Sequence, residues 1–297
     1  MYPRAFRYHR AASLKEAVSL LSQLGEGAKL LAGGQSLIPL MKLRFANPSH
    51  LVDLNFIPGT SYVRRDGDSI RFGPLTRHSE IEFSDRAATV PIIHDCAAGI
   101  ADPQVRNRGT MAGSVAEADP SGDWAPVLLC LETQVRCLSP KGERSVPLSD
   151  FIQDAYTTAL GHDELISEVV VKLPPKNSAG AYLAYKRCAP VYASASVAVQ
   201  LTMEDGVCRD GTIVLGAVAL MPIRARDAET ALRGQAINAK TVDAAAEAAR
   251  VAADPQPDMR GSVEFKRNLV AALTRRAINF AVRRARGEHV EVSHLYA

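Results

Sequence analysis

The sequence lacks the patterns that mark several common classes of protein. Its five cysteines form no Cys-x-x-Cys pair, so we expect neither a zinc site nor an iron–sulfur cluster in this chain. No apolar run approaches the roughly 20 residues of a membrane helix, and the first residues lack the apolar core of a signal peptide. The net charge is only +3, which argues against a nucleic-acid or membrane partner. These absences predict a cytoplasmic protein that holds no metal.

The predicted elements divide the chain into three parts. Residues 1–57 alternate helices with short apolar strands, which is typical of an α/β lobe. Residues 58–176 begin with a hairpin that we expect to turn at Asp66-Gly67, and they continue as short helices. Residues 177–297 follow a proline-rich linker and contain three strands typical of an antiparallel sheet, then a long helix. The fold class is therefore mixed α/β, of the α+β type.

Local signals set the element boundaries. Ser13 is predicted to cap the first helix, with Glu16 completing a capping box. Apolar runs between glycine turns predict strands at 28–31, 51–54, 134–138, 181–186, 195–203 and 211–219. Periodic apolar residues predict helices at 13–24, 37–43, 79–83, 90–99, 123–131, 241–252 and 263–286.

The last predicted helix is rich in Lys and Arg, including Lys266 and Arg284. A nucleic-acid site is one interpretation, but no recognised nucleic-acid module accompanies the helix. We instead expect a solvated charged face, with the apolar residues turned inward. Those apolar residues are Leu269, Leu273, Ile278 and Phe280.

The first informative segment is a glycine loop between a predicted strand and a predicted helix. It comprises Ala32, Gly33, Gly34, Gln35 and Ser36. Paired glycines allow the main chain to approach a ligand closely, and successive peptide N–H groups can converge on an anion such as a diphosphate. Taken alone, such a loop is more often only a turn.

A second segment of small residues follows at residues 110–114. It comprises Thr110, Met111, Ala112, Gly113 and Ser114, and Asp123 comes shortly after it. A carboxylate beside such a loop could accept hydrogen bonds from ribose hydroxyls. Asp123 could also be the N-cap of the next helix, and both roles are compatible.

Together, and in this order, the two loops resemble those of the FAD-binding medium subunits of the xanthine dehydrogenase and carbon monoxide dehydrogenase group. That family has Ala-Gly-Gly-His/Gln-Ser first and Thr-Ile-Gly-Gly-Asn second. The resemblance continues through residues 102–110, 118–123, 164–168 and 184–192. It implies two lobes that clasp FAD, as in the vanillyl-alcohol oxidase/PCMH fold, followed by a C-terminal antiparallel sheet with helices.

The sequence departs from the family pattern in the second loop. Ala112 stands where the family has glycine, and Ser114 where it has asparagine. If the family glycine needs a positive φ, Ala112 would be strained. Serine also reaches less far than asparagine, so FAD binding could be weaker here.

The resemblance also assigns roles in the site. Residues 32–36 and 110–114 would grip the FAD diphosphate from two sides, and Asp123 would bind the ADP ribose. Ile100 and Ile166 would lie beside the flavin, where ordinary core positions are the alternative. Lys186 would place its charge near the flavin ring, which favours the anionic reduced form. Tyr192 would stack on the ring, or else be an ordinary turn tyrosine. The subunit needs no catalytic side chain of its own because the cofactor carries the chemistry.

The implied complex contains a large molybdopterin subunit and a small subunit with 2Fe–2S clusters, assembled as a dimer of heterotrimers. Electrons would pass from substrate through the clusters and FAD to a quinone, oxygen or NAD. Gln35, where carbon monoxide dehydrogenases often carry histidine, favours an organic substrate. The rival interpretations are a free-standing flavin oxidoreductase of the same fold and a non-catalytic nucleotide-binding protein.

Overall fold

The computed structural model describes residues 2–292. Its first sheet is parallel, in the order β1 (Arg7–Arg10), β3 (His50–Asp53), β2 (Ala28–Leu31). Helix α1 (Leu14–Leu24) and a short 3-10 turn (Gly25–Gly27) connect β1 to β2, and helix α2 (Leu37–Leu43) connects β2 to β3. Because the strands are parallel, the loop that follows β2 and the residues that follow β3 leave the same edge of the sheet.

The start of α1 differs in one contact from the predicted capping box. Ser13 Oγ accepts the N–H of Glu16 at 3.1 Å, as predicted. The Glu16 carboxylate, however, accepts the N–H of Ala12 at 2.7 Å rather than that of Ser13. The cap therefore reaches one residue further back along the chain.

The second sheet is antiparallel and has five strands. Their order is β4 (Val63–Asp66), β5 (Ser69–Phe72), β10 (Leu165–Lys172), β6 (Thr133–Ser139), β7 (Gly142–Pro147). The intervening helices are α3 (His78–Glu82), α4 (Asp85–Ala88), α5 (Pro91–Gly99), α6 (Pro103–Arg106), α7 (Met111–Glu117), α8 (Trp124–Cys130) and α9 (Leu148–Phe151). A small ribbon pairs β8 (Ile152–Asp154) with β9 (Thr157–Thr158). The first hairpin turns at residues 67–68, one residue later than predicted, because Asp66 pairs with Ser69.

The third sheet is also antiparallel. Its order is β11 (Ser178–Tyr185), β12 (Ala195–Glu204), β13 (Val207–Gly216), β14 (Ile223–Arg224). Helices α10 (Arg226–Leu232), α11 (Ala239–Ala252) and α12 (Val263–Ala285) complete this part of the chain. The predicted strand at 211–219 was misplaced, since β13 begins and ends earlier.

The apolar cores do not follow the three predicted parts. Tyr182 and Val214 of the third sheet pack in the same core as Trp124 and Phe72. Leu165 of the second sheet packs with the first sheet and α1. The shared cores fix the sheets against one another. The three-part division of the chain stays a prediction.

The charged face of α12 is less solvated than predicted. Leu273 and Ile278 are buried as expected. Lys266, however, is only 3% exposed and binds Asp258 at 2.8 Å. Arg284 is buried in an ion pair with Asp95. The helix thus uses two of its basic residues inside the protein. Within residues 2–292, no helix has the length and apolar character needed to cross a membrane.

Candidate functional site

A cleft of about 710 Å³ is lined by the first sheet, the second sheet and α7. Both glycine loops face it. Every residue predicted to contact the cofactor lines the cleft except Met111. The volume is within the roughly 300–1,000 Å³ of ordinary ligand pockets.

The first loop presents unpaired main-chain donors. Within residues 2–292, none of the peptide N–H groups from Gly33 to Ser36 donates a hydrogen bond. Gly34 has a φ of +74°, in the left-handed region, while Ser36 has an ordinary right-handed backbone. A left-handed residue beside right-handed ones can turn neighbouring N–H groups towards one point. Because unpaired N–H groups carry partial positive charge, the loop can bind an anion.

The first loop packs directly on the segment that leads into the second. A Cβ atom on Gly33 would collide with the carbonyl oxygen of Arg108 and would lie 2.7 Å from Cα of Gly109. Only glycine fits at position 33, since both neighbours are main-chain atoms. This contact explains why the sequence pattern has glycine at position 33. The space that a ligand needs is a second reason.

The second loop is the start of a helix rather than an open turn. Thr110 caps α7, and its Oγ1 accepts the N–H of Gly113 at 3.1 Å. Met111 is fully buried, and its N–H donates to the carbonyl of Thr76 at 3.2 Å. The geometry therefore gives Met111 no role in the cleft. Ala112 is not among the described residues with positive φ, so it carries no backbone strain.

Asp123 and Lys186 form a buried ion pair. Asp123 Oδ2 lies 3.0 Å from Lys186 Nζ, and its Oδ1 accepts the hydroxyl of Tyr182 at 2.6 Å. Lys186 Nζ also donates to the carbonyl of Gly99 at 2.8 Å. The resemblance assigned Asp123 to the ADP ribose and Lys186 to the flavin ring, but their contact puts both side chains at one place in the cleft. The ribose role of Asp123 stays a prediction, and this geometry favours a joint role with Lys186.

Apolar and aromatic side chains complete the lining. Ile100 and Ile166 are buried, although both reach the cleft. Tyr192 is 47% exposed at the rim, and Tyr156 lies near it. Burial and the carboxylate of Asp119 raise the pKa of Tyr192 above its usual range. A half-exposed ring at the rim is suited to stacking on a planar ligand.

A buried histidine lies beside the second loop and is part of the cleft lining. Trp124 Nε1 donates to His78 Nδ1 at 3.1 Å, and a Cβ atom on Gly109 would lie 2.7 Å from His78 Nε2. Burial, then the charges of Arg77 and Arg106, lower the pKa of His78 to about 3. The imidazole is therefore neutral and acts as an acceptor for Trp124.

Asn55 and Arg77 connect the two loops, although neither was predicted from the sequence to belong to the site. Asn55 Nδ2 donates to the carbonyl of Ala32 at 2.9 Å, and Arg77 binds both Asn55 Oδ1 and the carbonyl of Arg108. Asn55 follows a predicted strand, and a polar residue at the carboxyl end of a parallel strand is a usable signal. Arg77 has no local sequence signal.

The donors of the site fit a dinucleotide that contains a diphosphate. The unpaired N–H groups of the first loop match anionic oxygens, Ile100 and Ile166 match an aromatic ring, and the cleft has room for an extended ligand.

Comparisons with known proteins agree with this interpretation of the site. A family model described as the FAD binding domain in molybdopterin dehydrogenase matches residues 4–174. A second, described as the carbon monoxide dehydrogenase flavoprotein C-terminal domain, matches residues 180–281.

Individual relatives match over nearly their whole length. The carbon monoxide dehydrogenase medium chain of Afipia carboxidovorans is 39% identical, over 96% of this chain and 100% of the relative. The 6-hydroxypseudooxynicotine dehydrogenase complex subunit alpha of Paenarthrobacter nicotinovorans is 36% identical, over 99% of this chain and 100% of the relative. The solved carbon monoxide dehydrogenase of Hydrogenophaga pseudoflava has a TM-score of 0.92 and 38% identity, covering 96% of this chain and 99% of its own. The chain therefore belongs to the family of FAD-binding flavoprotein subunits of molybdopterin dehydrogenases.

Proposed function

We propose that this chain is the FAD-carrying medium subunit of a heterotrimeric molybdenum hydroxylase. A large subunit would hold the molybdopterin cofactor, a small subunit would hold the 2Fe–2S clusters, and the complex would be a cytoplasmic dimer of heterotrimers. The family membership supports this assignment, as do the relatives that are named as medium chains of larger enzymes. The observation that carries the proposal is the row of unpaired N–H groups from Gly33 to Ser36 facing the cleft.

Each wall of the cleft has a separate task in this proposal. Residues 32–36 bind the diphosphate through main-chain N–H groups, and Ala112 and Ser114 approach it from the other side. Ile100 and Ile166 exclude water from one face of the flavin, and Tyr192 covers the ring at the rim. When bound, FAD supplies the exchange between single-electron and two-electron transfer.

Lys186 and Asp123 set the charge at one end of the cleft. The lysine is 4% exposed, and its two oxygen partners fix the position of the ammonium. A fixed positive charge in a poorly solvated place stabilises negative charge on a nearby ligand. We assign Lys186 to the flavin, with Asp123 and Tyr182 holding the lysine in place.

We propose an organic molecule as the substrate of the complex. Gln35 lies in the first loop, where many carbon monoxide dehydrogenases carry histidine. The P. nicotinovorans relative is named for an organic substrate, which supports the proposal. The electron acceptor is proposed to be a quinone, oxygen or NAD.

The first experiment measures cofactor content. The purified chain, saturated with FAD and desalted, should keep one flavin per polypeptide by visible absorption. A protein that stays colourless under these conditions would refute the proposal and favour a non-catalytic nucleotide-binding protein.

The second experiment tests assembly. The chain should co-purify with large molybdopterin and small iron–sulfur subunits encoded beside it. In that complex, flavin reduction by candidate organic substrates should require both partners. Substrate oxidation by the isolated chain would instead indicate a free-standing flavin oxidoreductase. Reoxidation of the reduced complex by quinone, oxygen or NAD identifies the acceptor.

A further inference from the structure

The two glycine loops are held together by a polar bridge formed by Asn55 and Arg77. We propose that these two side chains are positioning residues, which fix the spacing of the loops before the diphosphate of the cofactor binds. The inference rests on the proposed function, since it concerns the same cleft. Neither residue lines the cleft, so neither is expected to touch the ligand itself.

Asn55 fixes the first loop at its beginning. Its Nδ2 donates to the carbonyl of Ala32 at 2.9 Å, the residue immediately before Gly33. Its own orientation is set by Asp53, whose Oδ1 accepts the Asn55 N–H at 2.8 Å and Nδ2 at 2.6 Å. The other oxygen of Asp53 accepts the hydroxyl of Tyr8 at 2.6 Å. The amide is therefore held at several points and cannot turn freely.

Arg77 extends the bridge to the second loop. One guanidinium nitrogen donates to Asn55 Oδ1 and the other to the carbonyl of Arg108. That carbonyl is the atom against which Gly33 packs. Arg77 therefore holds the surface on which the first loop rests. A planar guanidinium can bind two acceptors in a fixed geometry, which lysine cannot do.

The main chain around Arg77 continues the same attachment. Arg77 pairs with Thr110 as an antiparallel bridge. The N–H of His78 donates to the carbonyl of Gly109 at 3.0 Å. Arg77 thus contacts the residues just before α7 through both its backbone and its side chain. A shift of the side chain would be transmitted to the start of that helix.

The bridge matters because the diphosphate needs donors from two sides at once. The loops come from distant parts of the chain, and their direct contact at Gly33 fixes their separation only if Arg108 stays in place. Without the bridge, the N–H groups from Gly33 to Ser36 would still exist, but their distance from α7 would vary. Affinity would then fall because ordering the loops would occur on binding.

The test uses the full-length apo chain and direct binding measurements. Arg77→Gln and Asn55→Ala are each expected to raise the dissociation constant of FAD at least about tenfold, the loss of roughly one charge-assisted hydrogen bond. Arg64→Gln is the matched control, since Arg64 is exposed and stacks on Tyr62. The control should bind FAD as the wild type does.

Two further ligands distinguish the loss of loop positioning from a general distortion of the fold. ADP contains the diphosphate, and its affinity should fall by a similar factor in both variants. Riboflavin lacks the diphosphate, so its affinity should stay within about twofold of the wild-type value. A matched loss of riboflavin binding would indicate a distorted fold and overturn the positioning role.

A double-mutant cycle gives the decisive result. If Asn55 and Arg77 act through one bridge, the double variant should bind FAD no more weakly than the worse single variant, within about threefold. Multiplicative losses, or single variants that match Arg64→Gln, would overturn the proposal. Should Arg77→Gln fail to fold, Asn55→Ala alone, with the ADP and riboflavin titrations, tests the same positioning role. A wild-type chain that binds no FAD would count against the proposed function instead.

Discussion

We predict that the burial of neutral His78 makes the folded protein less stable in mild acid. The side chain is 5% exposed and lies between Trp124 and Gly109, beside the second loop. Its pKa in the folded protein is lowered to about 3, mainly by burial. The usual value of an unfolded histidine is about 6.5. The folded state therefore favours the neutral imidazole, and the unfolded state binds the proton more readily.

The sign and size of the effect follow from this difference. The contribution of neutral His78 to the free energy of unfolding is fully present above about pH 6.5. It is lost progressively as the pH falls towards about 3. Between pH 7 and pH 5 the unfolded imidazole takes up most of a proton that the folded one excludes. The free energy of unfolding should fall by about 2 kcal/mol over that interval from this group alone.

Urea denaturation at pH 7 and pH 5 measures the effect. The variant His78→Gln removes the titrating group, so its loss of stability over the interval should be about 2 kcal/mol smaller than that of the wild type. The matched control is His94→Gln, because His94 is an exposed residue of the neighbouring helix. If His78→Gln and wild type lose stability equally, His78 is not the buried neutral group described here.

Three further predictions concern the first loop and the two buried ion pairs. Gly33→Val should abolish FAD uptake, seen as loss of flavin absorption after desalting, because its side chain would collide with main-chain atoms; unchanged flavin content would contradict the loop assignment. Lys186→Met should lower the free energy of unfolding in urea by about 3–5 kcal/mol, since it leaves Asp123 buried and unpaired; a loss under about 1 kcal/mol would show that water replaces the ammonium. Arg284→Met should cost a similar amount, and adding Asp95→Asn should restore part of it by removing the unpaired charge; no restoration would mean that Arg284 acts through other contacts.

The elements with strong local signals could be predicted from the sequence. Strand β2 and helix α2 have the predicted bounds because glycines end one and apolar spacing defines the other. Strand β1 was missed, since Arg7–Arg10 has no apolar residue pattern. Strand β10 was missed because its alternation is interrupted by a bulge between Ile166 and Glu168.

The candidate site was predictable only in its local parts. The first loop follows from its own residues, whereas its bond to Asn55 joins positions far apart in the chain. The contact of Asp123 with Lys186 also depends on the third sheet lying against α8. Such pairs are set by tertiary packing, and no local pattern indicates which partner each side chain will find.

The departure from the family pattern at Ala112 falls where the structure tolerates it. Ala112 is the second residue of α7 and has ordinary helical backbone, so nothing in the main chain requires glycine there. Gly33 and Gly113 differ, because a Cβ atom on either would collide with the neighbouring loop or with Thr110 Oγ1. The glycines of the pattern are therefore not equivalent. Gly33 and Gly113, which permit a close approach within the protein, are retained. Ala112 replaces a glycine that the helical backbone does not need.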